Sequence, residues 1–149
     1  RRAMMRPGRL PGLTLEVKGK RKMTITAIPA TDLRHAYVAA INSNDADRII
    51  GLMDEDIVFQ VPGEPELIGK DAVREWAVGF FAGFEAHWDK TEHALEQSGD
   101  LAVSRYTYTA RYRSREDGVE AGEIGKGTCI YRHAPSGDWL LMIDSWSTH

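Results

Sequence analysis

Apolar residues cluster in three segments of the first half of the chain, with the spacing of helices. These segments span residues 31–42, 46–53 and 71–84, and the first and third present one apolar face. Between the second and third segments, the acidic run at residues 54–56 predicts a turn. The β-branched run at residues 57–61 predicts a strand after it. We therefore expect three helices with an early strand between them.

The second half of the chain alternates apolar and polar residues with the two-residue period of a strand. Four strands are predicted, over residues 87–97, 101–113, 123–133 and 139–147. The turns between them are too short for the crossover helices that parallel strands need, so these strands form an antiparallel meander. The order of elements predicts an α+β fold. In it, a cone-shaped, curved, mixed or antiparallel sheet wraps around three N-terminal helices and encloses an apolar pocket.

Positive charge is concentrated at the start of the chain. Residues 1–22 carry eight basic side chains and one acidic one, whereas residues 23–149 carry 11 basic and 21 acidic side chains. Prolines and glycines interrupt the first segment, so we expect a disordered basic tail followed by one domain over residues 23–149. An acidic domain is a poor partner for phosphate backbones, so nucleic acid is not an expected partner. The alternative makes the tail an arm that binds nucleic acid or an anionic surface.

Several classes of protein and site are not indicated by the residues. No apolar run approaches the roughly 18 residues of a membrane span, and residues 1–22 lack the apolar stretch of a secretory signal. We therefore expect no membrane partner and a cytoplasmic location. The single cysteine, Cys129, excludes an internal disulfide and favours a buried structural thiol. The five histidines show no metal-binding spacing and no glycine-rich phosphate loop is visible, so we expect neither a metal nor a cofactor.

Strand alternation assigns the side chains of the second meander strand to two faces. Tyr106 and Tyr108 lie on the face that we expect to point toward the helices. Arg105 and Arg111 lie on the opposite face with several threonines, and we expect that face to meet solvent or a partner subunit. The strand thus predicts an aromatic wall for the pocket.

One acidic residue interrupts an otherwise apolar stripe of the last strand. Asp144 shares a face with Leu140, Met142 and Trp146. A buried carboxyl group that lacks a cationic partner is suited to moving protons near neutral pH, which makes Asp144 a candidate acid or base. The alternative is a structural carboxylate bonded to the backbone or to an arginine.

Two further polar side chains are candidates for positioning a reacting group. Tyr37 lies mid-helix among apolar residues, and a buried phenol can donate a hydrogen bond to a developing oxyanion. The alternative is a core tyrosine bonded to a nearby carbonyl group. Gln60 shares a strand face with Val58, and its amide could orient a carbonyl group or a water molecule but cannot act as a base.

Residues 36–76 closely resemble the N-terminal half of the delta-5-3-ketosteroid isomerases and of the wider nuclear-transport-factor-like superfamily. The shared pattern is a helix that ends in N-x-x-D, an acidic turn, a strand, and then P-G and G-x-x-A-[IV]-R. The resemblance extends over about residues 31–147. It implies the fold more specifically than the activity, because this superfamily includes isomerases, cyclases, dehydratases, epoxide hydrolases and non-enzymes.

The ketosteroid isomerase mechanism uses an aspartate base and an oxyanion hole made of a tyrosine and a protonated aspartate. By this resemblance, Tyr37 corresponds to the oxyanion tyrosine. Gln60 stands at the position of the aspartate base, and Cys129 stands at or next to the position of the second aspartate. Two of the three groups are replaced, so steroid isomerisation by this mechanism is not expected.

SnoaL-like polyketide cyclases are similar to the chain in a different way. Their first-strand amide and last-strand aspartate, which is the acid or base, correspond to Gln60 and Asp144. Their additional histidine falls near Cys129, and His133 is the nearest alternative. The epoxide hydrolases need an Asp-Arg-Asp set, which would require one of the meander arginines to point inward.

Together, the residues and the resemblance predict a cofactor-free enzyme of the isomerase, cyclase, hydratase or lyase type that acts on a small, mostly apolar carbonyl compound. Asp144 would take a proton next to the carbonyl group, and Tyr37 and Gln60 would hold the enolate oxygen. The predicted substrate-binding residues are Trp76, Phe80, Tyr106, Tyr108, Cys129, Met142 and Trp146. The alternatives are a non-catalytic ligand-binding module and an assembly domain. The resemblance also implies a homodimer through the outer face of the sheet.

Overall fold

The computed structural model of the chain describes residues 14–17, 21–24 and 29–149. In these ranges the helices are α1 (Ala30–Asn42), α2 (Ala46–Ile50) and α3 (Lys70–Gly83). The strands are β1 (Thr14–Val17), β2 (Arg21–Thr24), β3 (Met53–Gln60), β4 (Leu67–Ile68), β5 (Phe84–Ser98), β6 (Leu101–Ser114), β7 (Glu120–His133) and β8 (Trp139–Thr148). No helix within the described ranges is long and apolar enough to cross a membrane. The cytoplasmic location stays a prediction.

Six strands form one sheet in the order β4-β3-β8-β7-β6-β5. The four strands from β5 to β8 pair antiparallel in chain order, as the predicted meander requires. β3 joins the meander by pairing parallel to β8, and β4 pairs antiparallel to β3. The sheet is therefore mixed, and the predicted α+β fold, a curved sheet with N-terminal helices, is confirmed.

Helices α1 and α3 each bury one face. α1 buries Leu33, Tyr37 and Ile41, which are four residues apart and so lie on one side of the helix. α3 buries a row with the same spacing, from Val73 to Phe81. α1 packs on β5 and β8, and α3 packs on β3 and β5. The buried face of α1 therefore presents Tyr37 to the last strand of the chain.

The acidic run at residues 54–56 belongs to strand β3, so the predicted turn is wrong. Met53 and Ile57 are buried on either side of the run and anchor both of its ends. The pairing of β3 with β8 shifts register between Met53 and Val58, which leaves the acidic residues on an irregular stretch. Helix α2 is correspondingly shorter than predicted and ends at Ile50.

Two short strands pair with each other near the basic start of the chain. β1 and β2 pair antiparallel, with Thr14 opposite Thr24 and Val17 opposite Arg21. The disordered tail over residues 1–22 and the domain boundary at residue 22 stay predictions, and the other residues of the tail lie outside the described residues.

Two asparagines at the end of α1 cover the edge of the sheet at β5. Asn42 accepts a hydrogen bond from the Trp88 N–H at 2.8 Å and donates one to the Trp88 carbonyl at 2.9 Å. Asn44 makes the same two bonds with Ala86, at 2.7 and 2.8 Å. Each side-chain amide replaces the backbone partner that an edge strand lacks. These bonds fix β5 against α1 and so position Lys90, the next inward residue after Ala86 and Trp88.

Candidate active site

A buried carboxylate lies on β8, between β7 and β3. It belongs to Asp144, whose register partners are Cys129 on β7 and Phe59 on β3. Trp146, two residues further along β8, also faces the inside of the molecule. The alternation predicted for these two residues of the last strand is therefore correct.

A bulge in β8 changes which other residues share the face of this carboxylate. Ile130 pairs with Ile143 and Tyr131 pairs with Leu141, so Met142 is an extra residue on β8. Leu141 is fully buried, whereas Met142 does not line the cavity beside the carboxylate. The bulge shifts the alternation by one residue and so places Met142 outside the cavity lining, and its contact with a substrate stays a prediction.

Three side chains donate hydrogen bonds to the Asp144 carboxylate. Tyr37 Oη lies 2.7 Å from Oδ2, and Tyr106 Oη lies 2.8 Å from Oδ1. Cys129 Sγ lies 3.4 Å from Oδ1. Burial raises the pKa of both phenols and of the thiol, and the neighbouring Asp144 charge raises these pKa values further. All three groups therefore stay protonated at neutral pH and act as donors.

Lys90 faces the same carboxylate and was missed by the reasoning from sequence. Its Nζ lies 3.9 Å from Asp144 Oδ2, and only 6% of its side chain is exposed. The ammonium also lies 4.1 Å from the centroid of the Tyr106 ring and 4.8 Å from that of Tyr37. The expectation that Asp144 lacks a cationic partner is therefore wrong. A signal was available, because Lys90 alternates in step with the inward-facing Trp88.

An apolar cavity opens beside these polar groups. The cavity has a volume of about 50 Å³. Aromatic side chains from helix α3 and four strands form most of the wall: Phe59, Trp76, Phe81, Trp88, Tyr106, Tyr108 and Trp146. The site is therefore an apolar chamber with its charged groups gathered around one carboxylate.

The predicted substrate-binding residues occupy different places around the cavity. Four of them line it: Trp76, Tyr106, Tyr108 and Trp146. Phe80 lies outside the lining and stacks on the Trp76 ring, with 5.5 Å between the ring centroids. Cys129 is buried against Asp144 and likewise does not line the cavity. Contact of any of these residues with a substrate stays a prediction.

Gln60 points away from the cavity. β3 turns Ile57 and Phe59 inward, so Val58 and Gln60 face outward. Gln60 Nε2 donates a hydrogen bond of 2.7 Å to Glu66 Oε2 at an exposed position. The prediction that Gln60 holds an enolate oxygen is therefore wrong. The more apolar side of the strand could have identified the inward face.

The other candidate residues lie elsewhere. Arg105 and Arg111 are exposed on the outer face of β6, as predicted, and so supply no charge to the carboxylate. His133 lies at the end of β7, where its Nε2 is 2.9 Å from the Gly137 carbonyl and its ring stacks on Trp139. Among the residues that the structure describes, no three side chains of Asp, Glu, His or Cys come together as a metal-binding group.

Comparison with protein-family models gives a match to the SnoaL-like domain over residues 35–140. The chain belongs to the SnoaL-like domain family. This result confirms the family predicted from the resemblance of residues 36–76. A comparison with curated protein sequences gave no match.

The SnoaL-like domain is similar to several solved structures. A ketosteroid isomerase-like protein from Erwinia carotovora atroseptica has a TM-score of 0.74 and 23% identity, with 79% of this chain and 92% of that chain covered. A protein classed as a dehydratase of the NTF2-like family, from Streptomyces avermitilis, has a TM-score of 0.68 and 20% identity, with 78% and 92% covered. A protein classed as a scytalone dehydratase, from Novosphingobium aromaticivorans, has a TM-score of 0.71 and 15% identity, with 80% of each chain covered. These structural similarities show that the chain shares the fold of these proteins.

Proposed function

We propose that this SnoaL-like domain is an enzyme that moves a proton at the carbon next to a carbonyl group. The observation that supports this proposal is the Asp144 carboxylate, held by two phenols and faced by a buried ammonium beside an apolar cavity. Isomerases, cyclases and many lyases share this proton-transfer step, which a positioned carboxylate can catalyse.

In the proposed reaction, Asp144 accepts the proton and its neighbours stabilise the oxygen. Tyr37 and Tyr106 turn their hydroxyl groups from the carboxylate to the carbonyl oxygen, and each departure frees a lone pair of Asp144 for the proton of the substrate. The raised pKa of both phenols keeps them donors rather than anions. Lys90 adds a positive charge for the developing enolate. Each such donor contributes a factor of about 10² to 10³ in rate.

The cavity favours a small, mostly apolar carbonyl compound as substrate. The indole rings of Trp76, Trp88 and Trp146 offer flat apolar surfaces, whereas the polar groups gather around Asp144. A compact apolar body with one carbonyl group matches this division. The similarity to an isomerase-like protein and to proteins classed as dehydratases agrees with this type of reaction.

A binding module without chemistry is the second candidate function. Both oxygens of Asp144 accept hydrogen bonds, and Lys90 balances its charge, which is also how a structural ion pair is satisfied. In that case the cavity holds a ligand, and Asp144 only positions the side chains of Tyr37 and Tyr106.

Exchange of hydrogen for deuterium next to a carbonyl group distinguishes the two functions. In D2O, the wild-type protein is expected to accelerate exchange in small cyclic ketones, measured by mass spectrometry, with ketone binding checked by thermal shift. Asp144→Asn keeps the shape of the side chain and removes the proton acceptor, so it should lower the rate by a factor of about 10² to 10⁴. Glu123→Gln is a matched control, because Glu123 also accepts a hydrogen bond from a phenol, that of Tyr108, at 2.6 Å.

Two outcomes would contradict the enzymatic proposal. Exchange that is unchanged in Asp144→Asn removes Asp144 from the reaction. Ketones that bind the wild-type protein without faster exchange support the binding module instead.

We also propose a homodimer through the outer face of the sheet. An apolar row crosses this face, because the register of five strands pairs apolar residues in succession. The row consists of Val103, Ile130, Ile143, Val58 and Ile68. Its two ends, Val103 and Ile68, are 39% and 66% exposed. A second copy related by two-fold symmetry would cover the row with its own equivalent.

Sedimentation of the full chain tests the dimer. Val103→Glu places a charge on the apolar row and should convert a dimer to a monomer, since a buried unpaired charge is costly. Val119→Glu is the control, because Val119 is also exposed but lies between β6 and β7, away from the row. A monomeric wild-type protein, or two variants that behave alike, would contradict the proposal.

A further inference from the structure

Lys90 brings to the cavity a primary amine whose nucleophilicity the proton-transfer mechanism does not use. Its side chain is 6% exposed and lines the cavity. The distance of 3.9 Å between Nζ and Asp144 Oδ2 is longer than the hydrogen bond of about 2.7–2.9 Å that a tight ammonium–carboxylate pair forms. The carboxylate oxygens instead take their short bonds from Tyr37 and Tyr106. The amine is thus buried at the cavity wall without a short hydrogen bond to the carboxylate.

We propose that Lys90 condenses with the carbonyl group of a small aldehyde or ketone in the cavity and forms an imine. This inference rests on the proposed function for its substrate class, and it adds a covalent step at the same site. Lysines that form Schiff bases lie in desolvated, apolar pockets. The cavity around Lys90 has that character.

The residues around Nζ supply every proton that the step requires. The ammonium passes one proton to the Asp144 carboxylate, and the neutral amine attacks the carbonyl carbon to form the C–N bond. Tyr37 and Tyr106 stabilise the oxyanion, which then takes a proton from the nitrogen. Asp144 returns its proton to the resulting hydroxyl group, the C–O bond breaks, and water leaves. An iminium ion then faces the Asp144 carboxylate, so the charge of the pair is unchanged.

The imine makes the removal of the adjacent proton by Asp144 easier. An iminium ion withdraws electrons from the adjacent carbon more strongly than a ketone does, so the carboxylate removes the proton there more easily and leaves an enamine. The aromatic rings of the cavity wall limit the access of water that would hydrolyse the imine. The covalent step therefore serves the same proton transfer.

Two other lysines provide internal references. Lys70 pairs with Glu55 at 3.2 Å near the start of α3. Lys126 is exposed on β7, where its side chain faces away from the cavity. Lys126 is exposed and the Lys70 side chain is 27% exposed, and neither lines the apolar cavity, so both report the reactivity of a lysine outside it.

The probe for this step is 2,4-pentanedione, which condenses with an amine to a stable, conjugated vinylogous amide and releases water. The full chain is incubated with the diketone at neutral pH, the product is followed by its near-ultraviolet absorbance, and the modified lysine is located by peptide mass spectrometry. We expect modification of Lys90 to be at least about tenfold faster than that of Lys70 or Lys126. Lys90→Arg should abolish the fast phase, because a guanidinium stays charged and forms no imine, whereas Lys126→Arg should keep it.

Equal rates at the three lysines, or a fast phase that survives in Lys90→Arg, would overturn the imine. Mapping on the wild-type protein decides the matter even where Lys90→Arg does not fold. The deuterium exchange assay separates this inference from the proposed function. Exchange without modification of Lys90 refutes the imine alone, and modification of Lys90 without exchange refutes the proton transfer alone.

Discussion

A glycine on β7 makes room for one of the two phenols that hold the carboxylate. Tyr106 pairs with Gly127 in the register of β6 and β7. A methyl group at Gly127 would collide with the Tyr106 hydroxyl and with the carbonyl oxygen of Ser145. A glycine inside a strand costs about 0.5–1 kcal/mol relative to alanine, and here it allows the Tyr106 hydroxyl to reach Asp144.

Gly127→Ala should therefore weaken both the fold and the site. Overpacking of this kind lowers the free energy of unfolding by about 1–3 kcal/mol, and a displaced Tyr106 hydroxyl should slow the ketone exchange reaction. Gly122→Ala is the control on the same strand, because a methyl group there meets only the Ala110 carbonyl at an ordinary 3.5 Å. Chemical denaturation and the exchange assay provide the two measurements. If the two variants behave alike, the close packing of Tyr106 on Gly127 has no role.

The sequence indicated individual candidate residues better than it indicated their partners. Asp144 and Tyr37 were identified as buried polar groups on apolar faces, and the structure joins them by a hydrogen bond. Gln60 was assigned to the wrong side, because alternation divides a strand into two faces without saying which one is inside. Lys90 was missed because a charged residue in a polar strand normally faces solvent.

At the scale of elements, the sequence predicted the presence of helices and strands better than their irregularities. The three helices and the four meander strands are present within a few residues of their predicted bounds. The bulge at Met142 was not visible, because one extra residue leaves no trace in composition and yet puts the residues before it out of alternation with those after it. The acidic run at residues 54–56 was read as a turn because its charges are typical of loops.

The asparagine contacts at the edge of β5 should contribute measurably to stability. Asn42→Ala removes the partners of the Trp88 N–H and carbonyl groups, which are partly buried, and should lower the free energy of unfolding by about 1–3 kcal/mol. Hydrogen exchange at the Trp88 amide should become faster in the same variant. Ser43→Ala is the neighbouring control, because the Ser43 hydroxyl bonds to the Ala40 carbonyl within α1 and does not reach β5.

A comparable loss of stability in both variants would show that these effects come from the end of α1 itself. If the Trp88 amide exchanges hydrogen at the same rate in Asn42→Ala as in the wild-type protein, the asparagine does not cover the edge of the sheet. In either case, packing alone would set the position of Lys90 relative to Tyr37, and the hydrogen bonds of Asn42 would not.

At the scale of the whole molecule, the candidate site also connects the two ends of the described domain. The bond between Tyr37 and Asp144 joins α1 to β8 across 107 residues of sequence. Tyr106 and Lys90 reach the same carboxylate from β6 and β5. The residues proposed for catalysis are thus part of the contacts that hold the helices on the sheet, so changes at the site should be measured for stability as well as for activity.

The tyrosines make the folded protein less stable at alkaline pH. All five tyrosines have pKa values raised above 10, and burial is the largest cause for each. An unfolded tyrosine ionises at a pH of about 10. Above that pH the unfolded chain releases protons that the folded protein retains, so the unfolded state binds fewer protons and the free energy of unfolding falls as pH rises.

The four most buried tyrosines should dominate this effect. Tyr37, Tyr106, Tyr108 and Tyr131 are almost completely buried, and each should remove about 1.4 kcal/mol of stability per pH unit above a pH of about 10. A total stability of about 5–15 kcal/mol would then be lost within a few pH units. In an alkaline titration, tyrosinate absorbance and the loss of circular dichroism should therefore appear in one transition. Tyr131→Phe should reduce the slope of stability against pH by about one proton, and a tyrosinate signal that develops fully while the circular dichroism stays native would contradict the burial of these phenols.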